Sequence, residues 1–315
     1  MFPSKTPKTH VYVLLAAITL TLFLLANYTY APSDSTPFDQ TSPSPPESAL
    51  QSLSKKPFPH KIWQSWKDDS EDPTDRTVGF PHQWRVVNPD WRYERIIDAN
   101  IDAYVVDQFD NKTSSVFTSI HDPILKADFL RYLILLKEGG VWADIDVLPK
   151  QPVSKWIPDK YRDSGVNLVI GIENDHHHQP IWPGSNYSVQ LCQYTVLAKP
   201  GHPAIQAVVD ETTKGVQELL ERKPKGPITF EDVMGTTGPF TFTKGLMDYF
   251  TSVTGEVHNG DELDSLKEPR LIGDVLVLPK DSFGWLSFEN THEEGDPTIL
   301  VQHLFIGSWR EGHPG

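Results

Sequence analysis

Asp128, Arg131, Asp144 and Asp146 stand close together within residues 121–150. Asp128 and Arg131 are three positions apart, which places their side chains on the same face of a helix. Asp144 and Asp146 are separated by one residue, so in a strand both acids point to the same side. Two carboxylates directed alike repel each other unless a cation lies between them, and hard divalent cations prefer oxygen ligands. The spacing therefore predicts a metal site, and a solvated acid pair on an edge strand is the alternative.

A helix and a strand are predicted to hold these four side chains. Asp122 is suited to cap the helix, Pro123 to occupy its first turn, and the pair Gly139-Gly140 to end it with a positive φ. The apolar residues between these ends recur at helical spacing. Residues 141–147 then read as a buried strand that carries the two later acids on one face.

Strand and helix patterns alternate along the rest of the chain, and this alternation is typical of an α/β fold. The segment at 188–197 is predicted to be a helix, and its Cys192 a small buried side chain. As the single cysteine of the chain, Cys192 excludes an intramolecular disulfide. Further strands are predicted at residues 58–67, 91–97, 166–172 and 274–279 and just before His303, and a further helix at 203–222.

The N-terminal residues differ sharply in composition from the rest of the chain. Residues 11–27 are almost uninterruptedly apolar, and lysines precede them. A cleaved signal peptide is one interpretation, and an uncleaved anchor is the favoured one. The favoured pattern predicts a cytoplasmic tail at residues 1–10, a transmembrane signal anchor at 11–30, a disordered Ser/Pro-rich stem at 31–57 and a folded domain at 58–315.

The charge of the chain bears on the class of partner. The formal net charge is −14, from 28 Lys and Arg against 42 Asp and Glu, and no basic block stands in the folded region. Such a chain is a poor partner for nucleic acid. An acidic protein that handles a phosphorylated substrate needs local cations or a metal.

Three further features could carry chemistry. His303 emerges from an apolar strand, where it is either a hydrogen-bonded core residue or a ligand. The predicted strand at 58–67 carries Trp63 and Trp66, which either both pack in the core or include one that stacks on a nucleobase at the carboxyl edge of a sheet. Three consecutive histidines, His176 to His178, invite a zinc interpretation. Because adjacent side chains diverge, a loop at the edge of a cleft is favoured.

Several motifs, taken in order, resemble those of glycosyltransferase family 32. The run D-F-L-R followed by G-G-V-W-A-D-I-D is similar to the donor-site signature of that family. The segments IWQSWK, VVNPDW, LCQYTVLAKPGHP, TGP, GDVLVLP and VQHLFIGSW look like the family's fungal initiation-specific α-1,6-mannosyltransferases. The resemblance covers nearly the whole chain from Phe58 onward.

This resemblance implies an enzyme with a GT-A type, Rossmann-like mixed sheet flanked by helices. It implies a Golgi type II membrane protein that uses Mn²⁺ to transfer mannose from GDP-mannose to a mannose of an N-glycan. The linkage is α-1,6, formed with retention, in outer-chain elongation. The implied partners are the donor, the glycan, the membrane and other mannosyltransferase subunits. The implied site residues are Asp144, Asp146 and His303 for the metal, Gln64, Trp66, Asp128, Arg131, Asp144, Ser308 and Trp309 for the donor, and Glu173 and Asp175 for the acceptor, with Asp128, Arg131, Asp144 and Asp146 as the catalytic group.

The acceptor side departs from the family pattern at residues 240–243, at the histidine triplet and between Leu278 and Val301. Donor chemistry is therefore better founded than acceptor identity. Two alternatives stay open: a family 32 transferase for another acceptor, such as the glycosphingolipid precursor inositol phosphoceramide, and a catalytically silent glycan-binding paralogue. Retention without an evident side-chain nucleophile favours front-face attack, in which a diphosphate oxygen takes the acceptor's proton.

Overall fold

The computed structural model describes residues 47–70, 75–182, 185–284, 295–307 and 309–313. The predicted tail, the predicted signal anchor and most of the predicted stem fall in residues 1–46, outside the described residues. Within the described part of the chain, no helix combines the length and the apolar character needed to cross a membrane.

Among the described residues, an eight-stranded mixed sheet forms the centre of the fold. Its strands are β1 (Lys61–Trp66), β2 (Arg92–Ile97), β3 (Gly140–Ala143), β5 (Leu168–Asp175), β6 (Val189–Leu191), β7 (Thr195–Ala198), β8 (Arg270–Ile272) and β9 (Val275–Leu278). Their order is β2-β1-β3-β7-β5-β9-β8, with β6 paired to β5. β1 is parallel to β3, and β3 and β5 are each antiparallel to β7. The carboxyl ends of β1, β3 and β5 therefore lie at the same edge.

Helices and a short second ribbon surround this sheet. The ribbon pairs β4 (Val147–Pro149) with β10 (Val301–His303) in antiparallel fashion. The α-helices are α1 (Glu47–Ser54), α2 (Phe80–Val87), α3 (Asp98–Gln108), α4 (Asn111–Ser119), α5 (Pro123–Lys137), α6 (Pro203–Arg222), α7 (Phe230–Thr236), α8 (Pro239–Thr254) and α9 (Lys280–Gly284). Single 3₁₀ turns stand at Val153–Lys155, Asp159–Tyr161, Asp261–Leu263 and Arg310–Gly312.

Two hydrophobic cores lie on the two faces of the sheet, because successive residues of a strand point to opposite faces. In β3, Trp142 packs into the core formed with α5, α6 and α8. Its neighbours Val141 and Ala143 pack into the other core, with Trp84 and Trp156. The predicted α/β class, a sheet flanked by helices, is confirmed.

The helix predicted ahead of the two acids is α5, and its ends follow the predicted signals. Asp122 Oδ1 accepts hydrogen bonds from two backbone amides of the first turn. Beyond the helix, Gly139 and Gly140 have φ values of +63° and +88°. A Cβ on Gly140 would lie 2.5 Å from the carbonyl oxygen of Lys61. Glycine is required there by the backbone conformation and by the close approach of β1.

The two acids after β3 lie in a turn, so the prediction that both stand on one face of a strand is wrong. β3 ends at Ala143, and the amide of Val147 donates to the carbonyl of Asp144 over 3.0 Å. The chain then leaves the main sheet as β4 and pairs with β10. That pairing partner comes from the far end of the sequence, and local alternation carries no information about it.

The predicted helix at residues 188–197 is also wrong, because this segment forms β6 and β7. Both strands are buried along their whole length. Cys192 lies between them, buried as predicted, and its amide donates to the carbonyl of Gly171 over 2.8 Å. A strand buried on both faces has no polar alternation, so periodicity alone does not separate it from a helix.

The folded region begins earlier than residue 58, because α1 occupies the end of the predicted disordered stem. Leu53 is buried, and Lys199 Nζ donates to the carbonyls of Leu53 and Ser54, each over 3.2 Å. Asn167 Nδ2 donates to Ser54 Oγ over 3.0 Å. A lysine that satisfies carbonyls at a helix end stabilises that end, and here it comes from a distant part of the chain.

Asp274 joins the strands to two helices, and we expect its replacement to lower stability in a pH-dependent way. Its carboxylate accepts hydrogen bonds from Asn167 (2.7 Å) and Tyr249 (2.6 Å) and faces His202 Nε2 at 3.2 Å. Burial alone raises the pKa of Asp274, but His202, Tyr249 and Asn167 together lower it from 3.8 to about 2. A depressed pKa adds stability above the unfolded-state value, and this stability is lost as pH falls through the folded-state value.

The variant Asp274→Asn is therefore expected to lose about 2 kcal/mol of unfolding free energy at pH 7. This loss shrinks as pH falls from about 4 to about 2, since the wild-type carboxylate is then protonated. Urea unfolding across this pH range measures the effect. The variant Asp159→Asn, at an exposed acid, serves as the control. A loss that is the same at every pH contradicts the assignment.

Candidate functional site

A cavity of about 600 Å³ opens at the shared carboxyl edge of β1, β3 and β5. Ligands of open α/β sheets bind at such an edge. A second cavity, of about 1250 Å³, opens at the amino ends of these strands beside α1, and none of the predicted site residues that the structure describes lines it. Eight of the predicted site residues line the first cavity: Trp66, Asp128, Arg131, Asp144, Asp146, Glu173, His303 and Trp309.

Arg131 connects the helix α5 to the turn after β3. Its Nη1 donates to Asp128 Oδ1 over 2.7 Å, and its Nη2 donates to Asp144 Oδ1 and Oδ2 over 2.8 and 3.0 Å. Trp142 Nε1 also donates to Asp144 Oδ1, over 2.7 Å. Asp128 and Arg131 are each only 2% exposed. The buried guanidinium thus fixes the position of the Asp144 carboxylate at the cavity wall.

The electrostatics of this group favour a charged Arg131. Burial lowers the pKa of Arg131, but the carboxylates of Asp144 and Asp128 together raise it above its ordinary value. Burial raises the pKa of Asp128, and the neighbouring guanidinium acts in the opposite direction. A buried guanidinium with two carboxylate partners keeps its charge. Arg131 therefore stays protonated at the floor of the cavity, where the carboxyl groups of Asp128 and Asp144 offset its charge.

Two residues that the sequence interpretation did not single out complete the environment of Asp128. Gln193 Nε2 donates to Asp128 Oδ1 over 3.3 Å, and Thr237 Oγ1 donates to Oδ2 over 3.1 Å. Thr237 belongs to the T-G-P turn between α7 and α8. The sequence identified this motif only by its resemblance to the family, because nothing local links it to Asp128.

His303 and Asp146 come together although they stand far apart in the sequence. The pairing of β10 with β4 sets His303 opposite Val147, and His303 Nε2 lies 3.3 Å from Asp146 Oδ1. The amide of Ile306 donates to Asp146 Oδ2 over 2.9 Å, and that of Leu304 donates to the Asp146 carbonyl over 3.0 Å. Burial raises the pKa of Asp146, but the contacts with His303 and Ile306 outweigh it and lower the pKa.

The pair formed by Asp146 and His303 fits part of a cation site. Within the described residues, no three His, Cys, Asp or Glu side chains are grouped as they are around a metal ion. Asp144, the third predicted ligand, directs both carboxylate oxygens to Arg131. Among the same residues, His303 Nδ1 is buried without a hydrogen-bond partner. One carboxylate and one imidazole suit a cation such as Mn²⁺ that takes its remaining ligands from substrate phosphates and water.

The predicted donor-binding residues divide between the cavity and the core. Trp66 lines the cavity, and its Nε1 donates to Asp75 Oδ2 over 3.1 Å. Trp309 also lines the cavity. Gln64 is fully buried and does not line it. Its Nε2 donates to the carbonyl of Asp144 over 2.9 Å, so it fixes the backbone of that residue. Ser308 lies outside the described residues.

Only one of the two residues predicted to contact the acceptor lines the cavity. Glu173 lines the cavity, and Gln190 Nε2 donates to its Oε2 over 2.8 Å. Burial raises the pKa of Glu173. Asp175 is not brought to the cavity; its Oδ2 accepts from the amide of Ser265 over 3.2 Å. The β-bulge between Ile172 and Asn174 falls at Glu173, so the regular alternation of a strand does not apply to this residue.

Comparison with known proteins identifies glycosyltransferases as relatives of this chain. A family profile described as "Glycosyltransferase sugar-binding region containing DXD motif" matches residues 74–163. The chain is 36% identical over 262 residues to the "Initiation-specific alpha-1,6-mannosyltransferase" of Schizosaccharomyces pombe, a match that covers 81% of this chain and 64% of that protein. It is 31% identical over 293 residues to the protein of that name from Candida albicans, covering 81% of this chain and 73% of the relative.

A third relative is the "Putative glycosyltransferase HOC1" of Saccharomyces cerevisiae, with 29% identity over 286 residues, 85% of this chain and 71% of that protein. The chain thus spans a little less than two thirds of the fission-yeast relative and more than two thirds of the other two. The profile's range includes Asp128, Arg131, Asp144 and Asp146, whereas His303 lies far outside it.

Proposed function

The chain belongs to the family of glycosyltransferases whose sugar-binding region contains a DXD motif, and we propose that it transfers mannose from GDP-mannose to a mannose of an N-glycan. The names of its relatives support mannose as the transferred sugar. The observation that carries the proposal is the contact of His303 with Asp146, in the cavity whose floor holds the charged Arg131.

The proposal extends to finer features. The linkage is α-1,6, formed with retention during outer-chain elongation, and the relatives' names support the linkage. The mixed sheet is a GT-A variant. The N-terminal segment, whose composition predicts a membrane anchor, holds a lumenal domain at the Golgi membrane, the location that the family resemblance implies. Other mannosyltransferase subunits are its expected partners.

We assign the phosphates of the donor to the part of the cavity that holds Asp146, His303 and Arg131. Asp146 and His303 would hold Mn²⁺, and a divalent cation there supplies positive charge opposite the diphosphate leaving group. Arg131 lines the same cavity and holds the Asp144 carboxylate in position there. Asp128 accepts hydrogen bonds from Arg131, Gln193 and Thr237, so we assign it to positioning Arg131 and not to binding sugar hydroxyls.

The remaining donor contacts are aromatic. Trp66 ends β1 at the cavity and offers a face for the guanine base. In the transfer step, the bond from the anomeric carbon to the diphosphate oxygen breaks and the bond to the acceptor hydroxyl forms on the same face. A diphosphate oxygen receives the proton of that hydroxyl. The chain's own residues hold donor and acceptor in the geometry this step requires.

A panel of sugar nucleotides tests the proposal. The full-length protein is incubated with GDP-mannose or UDP-hexoses, with Mn²⁺ or EDTA and with mannosyl N-glycans or inositol phosphoceramide, and nucleotide release and product linkage are measured. We expect Mn²⁺-dependent release of GDP from GDP-mannose and an α-1,6-mannoside on the N-glycan. Preference for a UDP-sugar overturns the donor assignment, product on the sphingolipid alone overturns the acceptor, and no release with any donor overturns the enzymatic function.

A further inference from the structure

An aromatic group borders the same cavity that Trp66 lines. Trp182 lies 5.9 Å from Phe230 and 5.4 Å from Phe240, between ring centroids. Phe230 stacks on Trp309, with centroids 5.6 Å apart and an interplanar angle of 8°. Three of these rings line the cavity, and Trp182 is 36% exposed. An indole held open to a cavity offers a flat apolar surface to a ligand.

A relay of hydrogen bonds connects this indole to the interior of the cavity. Trp182 Nε1 donates to Gln190 Oε1 over 3.2 Å, and Gln190 Nε2 donates to Glu173 Oε2 over 2.8 Å. The relay fixes both the plane of the indole and the position of the carboxyl group. Glu173 lines the same cavity as Asp146 and His303. The relay therefore joins the aromatic group to the cavity that holds this pair.

The strand order separates this side of the cavity from the nucleotide side. Trp66 ends β1, which borders β3 on one side. Gln190 belongs to β6, which pairs with β5 across β7 on the other side of β3. The turn with Asp144 and Asp146 lies between them. A nucleotide on Trp66 with its phosphates at Asp146 leaves the Trp182 side vacant for a second substrate.

The chemistry of this side matches a sugar ring. A pyranose has one face rich in C–H groups, which packs on an aromatic ring, and hydroxyl groups at its edge, which need hydrogen-bond partners. Specific pockets combine apolar walls with a few fixed polar groups. Here the wall is the face of Trp182 and the polar group is the carboxyl of Glu173.

The family resemblance already implies that Glu173 contacts the acceptor, and we propose that Trp182 completes with it a subsite for the acceptor sugar, a hexopyranose at the end of a glycan. The indole carries the ring's C–H face, and Glu173 hydrogen-bonds a hydroxyl and orients the acceptor toward the anomeric carbon. This inference rests on the proposed function, because the bound sugar is an acceptor only if the protein transfers mannose from a donor. Sugar binding at Trp182 is independent of turnover.

The test separates acceptor use from donor chemistry. For Trp182→Ala we expect the acceptor KM to rise by about 10-fold, while acceptor-free hydrolysis of GDP-mannose and the donor KM stay within about 2-fold. Trp182→Phe keeps an aromatic face and is expected to restore most of the affinity. Glu173→Gln keeps the size of the side chain and is expected to lower kcat/KM for the acceptor only. Val257→Ala, at an exposed apolar residue outside the cavity, is the matched control.

A binding measurement keeps the two proposals distinguishable. Calorimetric titration of the wild-type protein and of Trp182→Ala with an α-mannooligosaccharide needs no catalysis. Binding to the wild type that is lost in the variant supports the subsite even if GDP-mannose proves not to be the donor. Equal binding to both proteins overturns it, as does absence of binding to the wild type. An equal fall in transfer and hydrolysis for Trp182→Ala also overturns it, since that pattern indicates a structural role.

Discussion

Asp146→Asn is expected to lower mannose transfer from GDP-mannose by about 10³-fold, which is about 4 kcal/mol of transition-state stabilisation. Asp146 lies 3.3 Å from His303, and its contacts with His303 and the Ile306 amide keep its pKa low, so the carboxylate is ionised. An amide of the same shape removes the negative charge that a cation requires. Steady-state kinetics at saturating Mn²⁺ measure the effect.

The fold of this variant is expected to be preserved. The amide oxygen of asparagine can still accept the hydrogen bond that Ile306 donates, so the segment after β10 keeps its attachment. Thermal unfolding checks this point, and the exposed acid Asp159 provides the matched variant Asp159→Asn. If Asp146→Asn keeps more than about a tenth of wild-type kcat, the metal role of Asp146 is wrong.

Arg131→Lys is expected to damage both stability and activity, although it conserves the charge. The two Nη atoms of Arg131 serve Asp128 and Asp144 at the same time. A lysine ammonium is a point charge without this planar fork, so one carboxylate loses its partner. Breaking a buried ion pair costs about 3 kcal/mol of unfolding free energy. We also expect kcat/KM for the donor to fall by about 10²-fold, because the Asp144 carboxylate moves.

Arg222→Lys supplies the matched control for this substitution. Arg222 Nη2 lies 2.9 Å from Asp232 Oδ1, but its side chain is 59% exposed, so solvent screens the pair. We expect its unfolding free energy to change by less than about 1 kcal/mol. Urea unfolding and donor kinetics of both variants are compared. Similar small effects in the two proteins contradict the role assigned to Arg131.

Local signals predicted the central helix well. The cap at Asp122 and the glycines at 139 and 140 are determined by backbone chemistry within a few residues, and the structure has them as predicted. The α/β alternation is likewise a local property of each segment. The approach of His303 to Asp146 came from family resemblance, because it depends on the pairing of β10 with β4.

The errors arise where distant pairing decides the local conformation. The turn at Asp144 forms because the chain leaves β3 to join β10. Residues 188–197 become strands because β5 and β3 pair with them. The helix α1 forms where Lys199 satisfies its carbonyls, so the predicted stem ends before residue 58. Each case requires a partner that no sequence window contains.

The site residues that the sequence did not suggest are those that hold the charged and aromatic side chains in position. Gln193 and Thr237 complete the environment of Asp128, and Gln190 links Trp182 to Glu173. These are ordinary polar residues with no spacing pattern of their own. Gln64 was expected to contact the donor and instead hydrogen-bonds the backbone of Asp144. Only the folded chain shows which polar side chains meet the charged group.

The central claim is that Asp146 and His303 hold the cation that binds the donor's phosphates. The most direct test is to crystallise the protein with GDP and Mn²⁺ and to record anomalous scattering at the manganese absorption edge. We predict one peak in contact with Asp146 and His303, bridged to the diphosphate of GDP. A manganese peak bound elsewhere in the protein, or GDP bound in the cavity without manganese beside these two residues, would contradict the account.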